Sequence, residues 1–303
     1  MVSEVKVQKI SGIDLWQWRN QAKQEALAAD VPVGELDWLL ENITGLEHLA
    51  LQSETFKTQD EILLSSSMSD VSSLWNKRLN DRVPVEYLIG LAKWRNFSLL
   101  VSPDVLIPRP ETEGLIDMAI AAVKNSSLNL TQGHWADLGT GSGAIAIALA
   151  DAFPDIIIHA VDCDAAALNV AKANAKRYGV ADRINFYQGS WFEPLAHLKG
   201  KFSGMIANPP YVPTFFAQKM QPEVAYEPQF AVYGGGVDGL EHVRHLIKFA
   251  PDYLISGGVW LLEMMVGQAE VVTQLLQTQG GYQDIQIHID YAGRNRLASA
   301  SRI

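Results

Sequence analysis

After residue 130 the sequence alternates between strand-like and helix-like segments, and this order is the strongest constraint on the fold. The predicted strands are residues 135–138, 156–161, 184–188, 205–207, 259–263, 285–289 and 297–301. The predicted helices between them are residues 144–152, 165–178, 240–254 and 268–278. This alternation predicts an α/β fold with a mostly parallel seven-stranded sheet and helices on both faces. The last two strands follow each other without a helix, which predicts an antiparallel hairpin at one edge.

The first 80 residues differ, because they contain helical patterns and no strand signal. Leu36, Leu39, Leu40 and Ile43 follow the i, i+3, i+4, i+7 spacing of one helical face, and Gly45 comes where a helix would end. A second apolar stripe begins at residue 71, and a less regular helix is predicted around residues 14–29. Residues 52–60 are polar and predict a loop.

The change between the two patterns predicts three segments. Residues 1–82 form a small helical domain, residues 83–110 a linker and residues 111–303 the large α/β domain. Within the linker, residues 87–91 and 97–101 are β-prone runs that predict a β-hairpin.

Composition excludes several classes of protein. Apolar residues make up 48% of the 303-residue chain, which is enough for a folded core rather than general disorder. The formal charge of −10 argues against strong binding to nucleic acid, which depends on Lys and Arg contacts to phosphates. The single cysteine, Cys163, excludes a disulfide framework or a multi-cysteine metal site. The N-terminus has no signal pattern, and no apolar run reaches the roughly 20 residues that cross a bilayer.

A glycine-rich turn connects the first predicted strand of the sheet to the following helix. Gly139, Gly141 and Gly143 allow the backbone to turn tightly and a ligand to approach closely. Asp162 ends the next predicted strand, about twenty residues on, where a carboxylate can accept hydrogen bonds from ribose hydroxyls. This pattern suits either NAD or S-adenosylmethionine, and the glycine spacing does not decide between them.

The motif that discriminates is Asn208-Pro209-Pro210-Tyr211, which directly follows a predicted strand. Two prolines fix two φ angles and remove two backbone donors, so the loop is stiff and presents free carbonyl acceptors. The Asn208 amide oxygen and a proline carbonyl can accept both N–H bonds of a planar –NH2 group, while Tyr211 offers a flat aromatic surface. The motif therefore indicates a site for a planar amino group whose nitrogen is the acceptor of a transferred group.

These motifs resemble class I S-adenosylmethionine-dependent methyltransferases that act on planar amino groups. The resemblance is carried by residues 139–143, Asp162 and residues 208–211. Further stretches narrow it, namely residues 84–90, Ile107-Pro-Arg-Pro-Glu-Thr-Glu113, Glu227-Pro228 and Gly236-Val-Asp-Gly-Leu240. With them the chain resembles the protein-(glutamine-N5) methyltransferases of the release-factor glutamine methyltransferase (PrmC/HemK) type. The likeness is strong from about residue 75 to residue 303 and only general in the helical part.

The resemblance implies a Rossmann-like fold, S-adenosylmethionine as the cofactor, no metal, and a role for each motif residue. The implied cofactor-binding residues are Gly139, Thr140, Gly141, Ser142, Gly143, Asp162, Trp191 and Asn208. The glycine turn would wrap the methionine part, Asp162 would hold the ribose, and Trp191 would pack against the adenine. Asn208, Pro209 and Tyr211 would be catalytic, and with Pro210 they would bind the substrate glutamine. Arg109 and Glu111 would shape the substrate mouth.

Two positions depart from the family pattern. Ser190 stands where the family often has an Asp, just before Trp191, and Met265 stands where it commonly has a Gly. Two other features have ordinary interpretations. Cys163 is expected to be a small packed side chain, and His242 and His245, although three residues apart on a helix, have no carboxylate cluster that would predict a metal site.

The implied activity is transfer of a methyl group from S-adenosylmethionine to the N5 nitrogen of a glutamine, that of the Gly-Gly-Gln motif in class 1 peptide-chain release factors. Alternatives are glutamine methylation of a ribosomal protein and adenine-N6 methylation of nucleic acid. From other classes, the helical segment could make the chain a partner-binding protein with a vestigial cofactor fold, or the chain could be an NAD oxidoreductase. In the leading interpretation the helical domain recognises the release factor. The protein is then expected to be a cytoplasmic monomer without membrane or direct nucleic-acid binding.

Overall fold

The computed structural model describes residues 8–303, apart from the side chain of Ala217. Residues 1–7 belong to the predicted helical domain and to the N-terminus that lacks a signal pattern, and they lie outside the described residues. The chain divides into two compact units, the first ending at Gly90 and the second running from Leu91 to Ile303. The division falls inside the segment that the sequence assigned to a linker.

The first unit is mainly helical, with one small sheet that the sequence did not predict. Its helices are α1 Gly12–Ala28, α2 Val33–Thr44, α3 His48–Gln52, α4 Met68–Asn80 and α5 Val85–Ile89. Strands β1 Gln8–Ile10 and β2 Ile62–Leu64 pair antiparallel. The expectation of no strands here was therefore wrong, because strands of three residues are too short to show an alternating pattern. The predicted polar loop contains a 3₁₀ turn, Thr55–Thr58.

Helix α2 confirms the predicted apolar face of the first unit. Leu36, Leu39, Leu40 and Ile43 are all buried, and Gly45 ends the helix with a left-handed φ of 69°. Helix α4 begins with a capping box, in which the Ser67 hydroxyl accepts from the Asp70 backbone N–H and the Asp70 carboxylate accepts from the Ser67 backbone N–H. The core of this unit thus follows from helical periodicity and local capping.

The hairpin at the start of the second unit is shifted from its predicted position. Strands β3 Leu91–Trp94 and β4 Phe97–Leu100 pair antiparallel, which places the second strand as predicted. Residues 87–91 do not form the first strand, because residues 85–89 belong to helix α5. Pro84 precedes that helix and Gly90 ends it with a φ of 79°, and this local punctuation overrides the β propensity of the intervening residues.

The second unit contains the seven-stranded sheet. Its strands are β5 Gly133–Leu138, β6 Ile156–Asp162, β7 Ile184–Gln188, β8 Phe202–Ala207, β9 Leu254–Glu263, β10 Tyr282–Ile289 and β11 Asn295–Arg302. Its helices are α6 Glu113–Asn125, α7 Ala144–Ala152, α8 Ala165–Arg177, α9 Gln229–Val232, α10 Glu241–Tyr253 and α11 Ala269–Gln279. The strand order is β10-β11-β9-β8-β5-β6-β7. Strands β5 to β9 pair in parallel, and β10 and β11 form the predicted antiparallel hairpin at one edge.

Helices cover both faces of this sheet, as the alternation predicted. One buried cluster includes side chains of α6, α7 and α8, and the other includes side chains of α10 and α11. Strand β8 lies beside β5 on the side opposite β6, so the order of the strands reverses between β5 and β8. Ligands of open α/β sheets bind outside the carboxyl ends of the strands at such a reversal. The glycine turn follows β5, Asp162 ends β6 and Asn208 follows β8. All three therefore lie at this edge of the sheet.

Two general properties concern the residues that the structure describes. Between residues 8 and 303, no helix combines the length and the apolar character needed to span a bilayer. In the same part of the chain, no group of three or more His, Cys, Asp or Glu side chains is placed to hold a metal ion.

A buried histidine gives the sheet a pH-dependent stability. His159 on β6 is 3% exposed, with its two ring nitrogens 2.8 Å from His134 Nδ1 and 3.1 Å from the Tyr187 hydroxyl. Burial, helped by the neighbouring His134 and His197 charges, lowers the pKa of His159 to about 4. Between about pH 6.5 and pH 4 the unfolded chain therefore binds the additional proton and the folded chain does not, so the free energy of unfolding falls as the pH drops.

Replacing this histidine should flatten that dependence. We expect His159→Gln to reduce the loss of unfolding free energy between pH 7 and pH 4.5 by about 2 kcal/mol, because one shifted pKa unit corresponds to about 1.4 kcal/mol. Urea unfolding at the two pH values measures the change. His245→Gln, which removes an exposed histidine on α10, is the control for the substitution itself. Equal behaviour of the two variants would contradict the assignment.

Candidate active site

The glycine turn after β5 has a left-handed backbone and close neighbours on both sides. Gly139 and Gly143 have φ angles of 81° and 84°, which favour glycine. A Cβ on Gly139 would lie 3.3 Å from the Trp191 ring, and one on Gly143 would lie 3.1 Å from the Ala171 side chain on α8. The first glycine therefore lets an aromatic ring approach the turn, whereas the third lets helix α8 pack against it.

Asp137, the penultimate residue of β5, ties the turn to the sheet. Its carboxylate Oδ2 accepts from the Thr140 hydroxyl at 2.6 Å and from the Ala146 backbone N–H at 3.1 Å. The side chain is fully buried, and burial raises its pKa to about 7. Thr140 consequently directs its hydroxyl at the protein interior rather than at a ligand.

Asp162 at the end of β6 presents a carboxylate whose orientation is set by two backbone donors. Oδ2 accepts from the Gly141 N–H at 2.8 Å, and Oδ1 accepts from the Asp164 N–H at 3.0 Å. Burial raises the pKa of this carboxyl, and these two N–H bonds oppose the shift. A carboxylate has about four acceptor positions, so the two backbone donors leave capacity for a hydroxyl donor of a ligand.

Residues 208–211 form a corner after β8, here called the Asn208 corner. It is held by hydrogen bonds at its first residue, Asn208, and at its last, Tyr211. The Asn208 Nδ2 donates to Thr112 Oγ1 at 3.0 Å, which leaves the amide oxygen as the half available to a ligand. The Tyr211 hydroxyl donates to Glu263 Oε1 at 2.9 Å, and Gln268 Nε2 donates to the Tyr211 carbonyl at 2.9 Å. The corner is stiffened by these contacts as well as by its two prolines.

A cavity of about 200 Å³ joins these features. Of the residues predicted from the sequence, its lining includes Gly139, Gly141, Asp162, Trp191, Asn208 and Pro210. The structure thus brings together the glycine turn, Asp162, Trp191 and the corner that begins at Asn208. These four features come from four separate segments of the sequence.

The other predicted site residues are not among those that line the cavity. They are Thr140, Ser142, Gly143, Pro209 and Tyr211. The Ser142 carbonyl accepts from Asn174 Nδ2 at 2.9 Å, and Gly143 precedes helix α7. The Tyr211 hydroxyl is bonded to Glu263.

Trp191 has an unusual backbone conformation for a large residue. Its φ is 49°, a region that bulky side chains rarely adopt, and such outliers concentrate at ligand sites. Its ring lies 5.5 Å from the ring of His242, which also lines the cavity and whose pKa is lowered by burial. His242 was missed as a cavity residue because its helical position carries no motif.

The structure also places Cys163, Arg109 and the segment that precedes Arg109. Cys163 is exposed and lines the cavity, so the expectation of a small packed side chain was wrong; the strand ends at Asp162 and the next side chain turns outward. Arg109 Nη2 bonds both carboxylate oxygens of buried Glu227 at 2.7 and 2.6 Å. The segment before Arg109 supplies cavity residues that no motif indicated, including Val105 and Leu106.

Comparisons with known proteins show which family the chain belongs to. A family model described as "Methyltransferase small domain" matches residues 114–224. The chain is 45% identical over 291 residues to a protein of Synechocystis sp. named "Release factor glutamine methyltransferase", covering 96% of this chain and 97% of that protein. A protein of the same name from Thermosynechococcus vestitus is 40% identical over 293 residues, covering 96% and 99%.

The fold has solved counterparts. The crystal structure of the hMettl16 catalytic domain in complex with the MAT2A 3'UTR hairpin 6 matches with a TM-score of 0.54 and 16% identity, covering 77% of this chain and 80% of that chain. The predicted class I methyltransferase fold is thereby confirmed. The two curated relatives establish that the chain is a methyltransferase and belongs to the release factor glutamine methyltransferase family.

Proposed function

We propose that this protein transfers a methyl group from S-adenosylmethionine to the side-chain N5 nitrogen of the glutamine in the Gly-Gly-Gln motif of class 1 peptide-chain release factors. The observation that carries the proposal is the orientation of Asn208. Its amide N–H is bonded to Thr112, so its oxygen is the group left to accept from a substrate amide. The names of the curated relatives support the choice of substrate.

The residues around the cavity fit S-adenosylmethionine. Gly139 has no side chain where a Cβ would fill the space below Trp191, and the Asp162 carboxylate keeps acceptor positions for ribose hydroxyls. Asp137, which precedes the glycine turn, has a buried carboxylate oxygen, Oδ1, without a hydrogen-bond partner among the described residues. When bound, the cofactor supplies a methyl group already activated by a sulfonium.

The difficulty of the reaction lies in the nucleophile, because an amide nitrogen shares its lone pair with its carbonyl. The Asn208 oxygen and the Pro209 carbonyl would accept the two N–H bonds, which raises electron density on the nitrogen and fixes its direction. By holding the nitrogen in one direction, these two acceptors would position it toward the bound cofactor, and such positioning lowers a barrier by several kcal/mol. Fixed dipoles stabilise the charge that develops on the amide. The proton leaves after methylation, when the nitrogen is far more acidic, so no strong base is needed.

The alternatives differ in the molecule that carries the planar amino group. A glutamine of a ribosomal protein would use the same acceptors, and so would adenine N6. The net charge of −10 weighs against a nucleic-acid substrate. Family membership favours a methyltransferase over the NAD oxidoreductase and over a vestigial cofactor fold. Recognition of the release factor by the helical unit, a monomeric state and a cytoplasmic location remain predictions.

A labelling experiment tests the proposal. We expect incubation with methyl-labelled S-adenosylmethionine and a purified class 1 release factor to place one methyl group on the motif glutamine, as read by peptide mass spectrometry. A release factor whose motif glutamine is replaced by alanine is the control and should remain unlabelled. Label on a ribosomal protein or on RNA, with none on the release factor, would contradict the proposed substrate.

A further inference from the structure

We propose that Thr112 and Glu263 are positioning residues for Asn208, and that together they hold its carboxamide with the oxygen toward the substrate nitrogen. The inference rests on the proposed function, since it concerns how the acceptor is presented to a substrate amide. Thr112 lies in the 3₁₀ turn Pro110–Thr112 before α6, and Glu263 is the last residue of β9. Neither residue is among those that line the cavity.

The orientation matters because the two ends of a carboxamide have nearly the same shape and opposite hydrogen-bonding roles. A rotation of the Asn208 amide by about 180° would present two donors to the substrate –NH2 group, which also offers donors. Only the orientation with the oxygen toward the substrate can bind that group. Asn208 therefore needs a neighbour that accepts from Nδ2 and does not donate to it.

Thr112 meets this requirement because its hydroxyl proton is directed at the Glu263 carboxylate and not at Asn208. Its Oγ1 accepts from Asn208 Nδ2 at 3.0 Å, and its hydroxyl also interacts with the Glu263 carboxylate. Glu263 Oε1 accepts from the Tyr211 hydroxyl at 2.9 Å, while Oε2 is buried and has no hydrogen-bond partner within residues 8–303. A buried carboxylate oxygen without a donor is costly, so Oε2 is the acceptor available to the threonine proton. The lone pairs of the threonine oxygen then face Asn208.

Burial makes this arrangement selective. Thr112 is 5% exposed and Glu263 is 0% exposed, so water does not compete for their hydrogen bonds. Burial raises the pKa of Glu263, whereas the hydroxyls of Thr112 and Tyr211 and the charge of Arg296 lower it. Burial is the largest of these effects, and the two hydroxyls and Arg296 oppose it by favouring the ionised form, which accepts hydrogen bonds and cannot donate them. The pair thereby keeps Thr112 an acceptor toward Asn208.

Substitutions that differ by one hydroxyl separate positioning from packing. Thr112→Val keeps the shape and removes the acceptor, and we expect kcat with the release factor to fall about tenfold to a hundredfold, as for small misplacements of reacting groups. The KM for the release factor and the Kd for S-adenosylmethionine should change less than about threefold, because Thr112 is buried and does not line the cavity. Thr112→Ser retains the hydroxyl and should restore kcat to within about threefold of the wild type.

A double-mutant cycle tests the link to Glu263. Glu263→Gln introduces a donor beside Thr112, so we expect it to lower kcat as well. Adding Thr112→Val to that variant should cost less than it costs in the wild type, because residues of one hydrogen-bonded network are not additive. Fully additive losses would overturn the proposed coupling. A loss in Thr112→Val that Thr112→Ser fails to restore would indicate packing alone and would also overturn it.

A measurement without turnover keeps this inference separate from the proposed substrate. In ¹⁵N NMR spectra, the side-chain N–H protons of Asn208 should exchange slowly in the wild type and in Thr112→Ser, and at least about tenfold faster in Thr112→Val. If the wild type fails to methylate release factors, the proposed function fails while this comparison still decides the positioning role. Equal exchange in wild type and Thr112→Val would overturn the inference even if methylation is observed.

Discussion

Replacing Asn208 by alanine should lower kcat for release-factor methylation about a hundredfold to a thousandfold, the range for losing one preorganised polar group at a reacting centre. The expectation follows from the bond between Asn208 Nδ2 and Thr112, which leaves the amide oxygen as the acceptor for the substrate. In the proposed function the cofactor is held mainly by the glycine turn after β5 and by Asp162 at the end of β6. Its Kd in Asn208→Ala, measured by isothermal titration calorimetry, should therefore stay within about threefold of the wild type.

Asn185→Ala provides the matched control for this variant. Asn185 is an exposed residue of β7, on the same sheet, and is not among the residues that line the cavity. Removing its carboxamide should leave both kcat and cofactor affinity unchanged. Comparable losses of cofactor affinity and turnover in Asn208→Ala would mean that Asn208 acts chiefly in cofactor binding, against the division of roles argued here.

The architecture of the second unit followed from its sequence because its elements are long and strongly patterned. Helix α7 has the predicted bounds, residues 144–152, since an apolar run is preceded by Gly143 and followed closely by Pro154. The order of the strands was not predicted beyond the hairpin at one edge, because the preferred handedness of connections limits the possible orders without selecting one. The errors lie in short elements. Strands β1 and β2 have three residues each, and helix α5 has five, so periodicity could not identify them.

The site was predicted in part, and the missing part has a common physical cause. Motifs on single loops, such as residues 139–143 and 208–211, are local and visible in the sequence. The bonds from Tyr211 to Glu263 and from Arg109 to Glu227 join residues 52 and 118 positions apart. No local period encodes such pairs, which arise only when the strand ends meet. The same holds for His242, a cavity residue without any motif.

Asp162→Ala should produce the opposite pattern from Asn208→Ala, with the main loss in cofactor affinity. We expect the Kd for S-adenosylmethionine to rise about tenfold to a hundredfold, because a hydrogen bond to a charged group contributes about 1.5–3 kcal/mol. The carboxylate also orients the turn by accepting from the Gly141 N–H, so its removal loosens the backbone beside the cavity. At saturating cofactor, kcat should recover to within about threefold, since the Asn208 corner is untouched.

Asp164→Ala is the control for Asp162→Ala. It tests whether cofactor binding depends on the carboxylate of Asp162 itself or only on a negative charge nearby. Asp164 is two residues away, does not line the cavity, and caps helix α8 by accepting from the Ala166 N–H at 2.8 Å. Its removal should lower the free energy of unfolding by about 1 kcal/mol and leave the cofactor Kd unchanged, because a lost N-cap destabilises only the helix. If both variants weakened cofactor binding equally, the effect would reflect the general negative potential at this edge of the sheet. A weakening confined to Asp162→Ala locates the effect at this carboxylate, which acts by contacting the cofactor and by orienting the glycine turn through the Gly141 N–H.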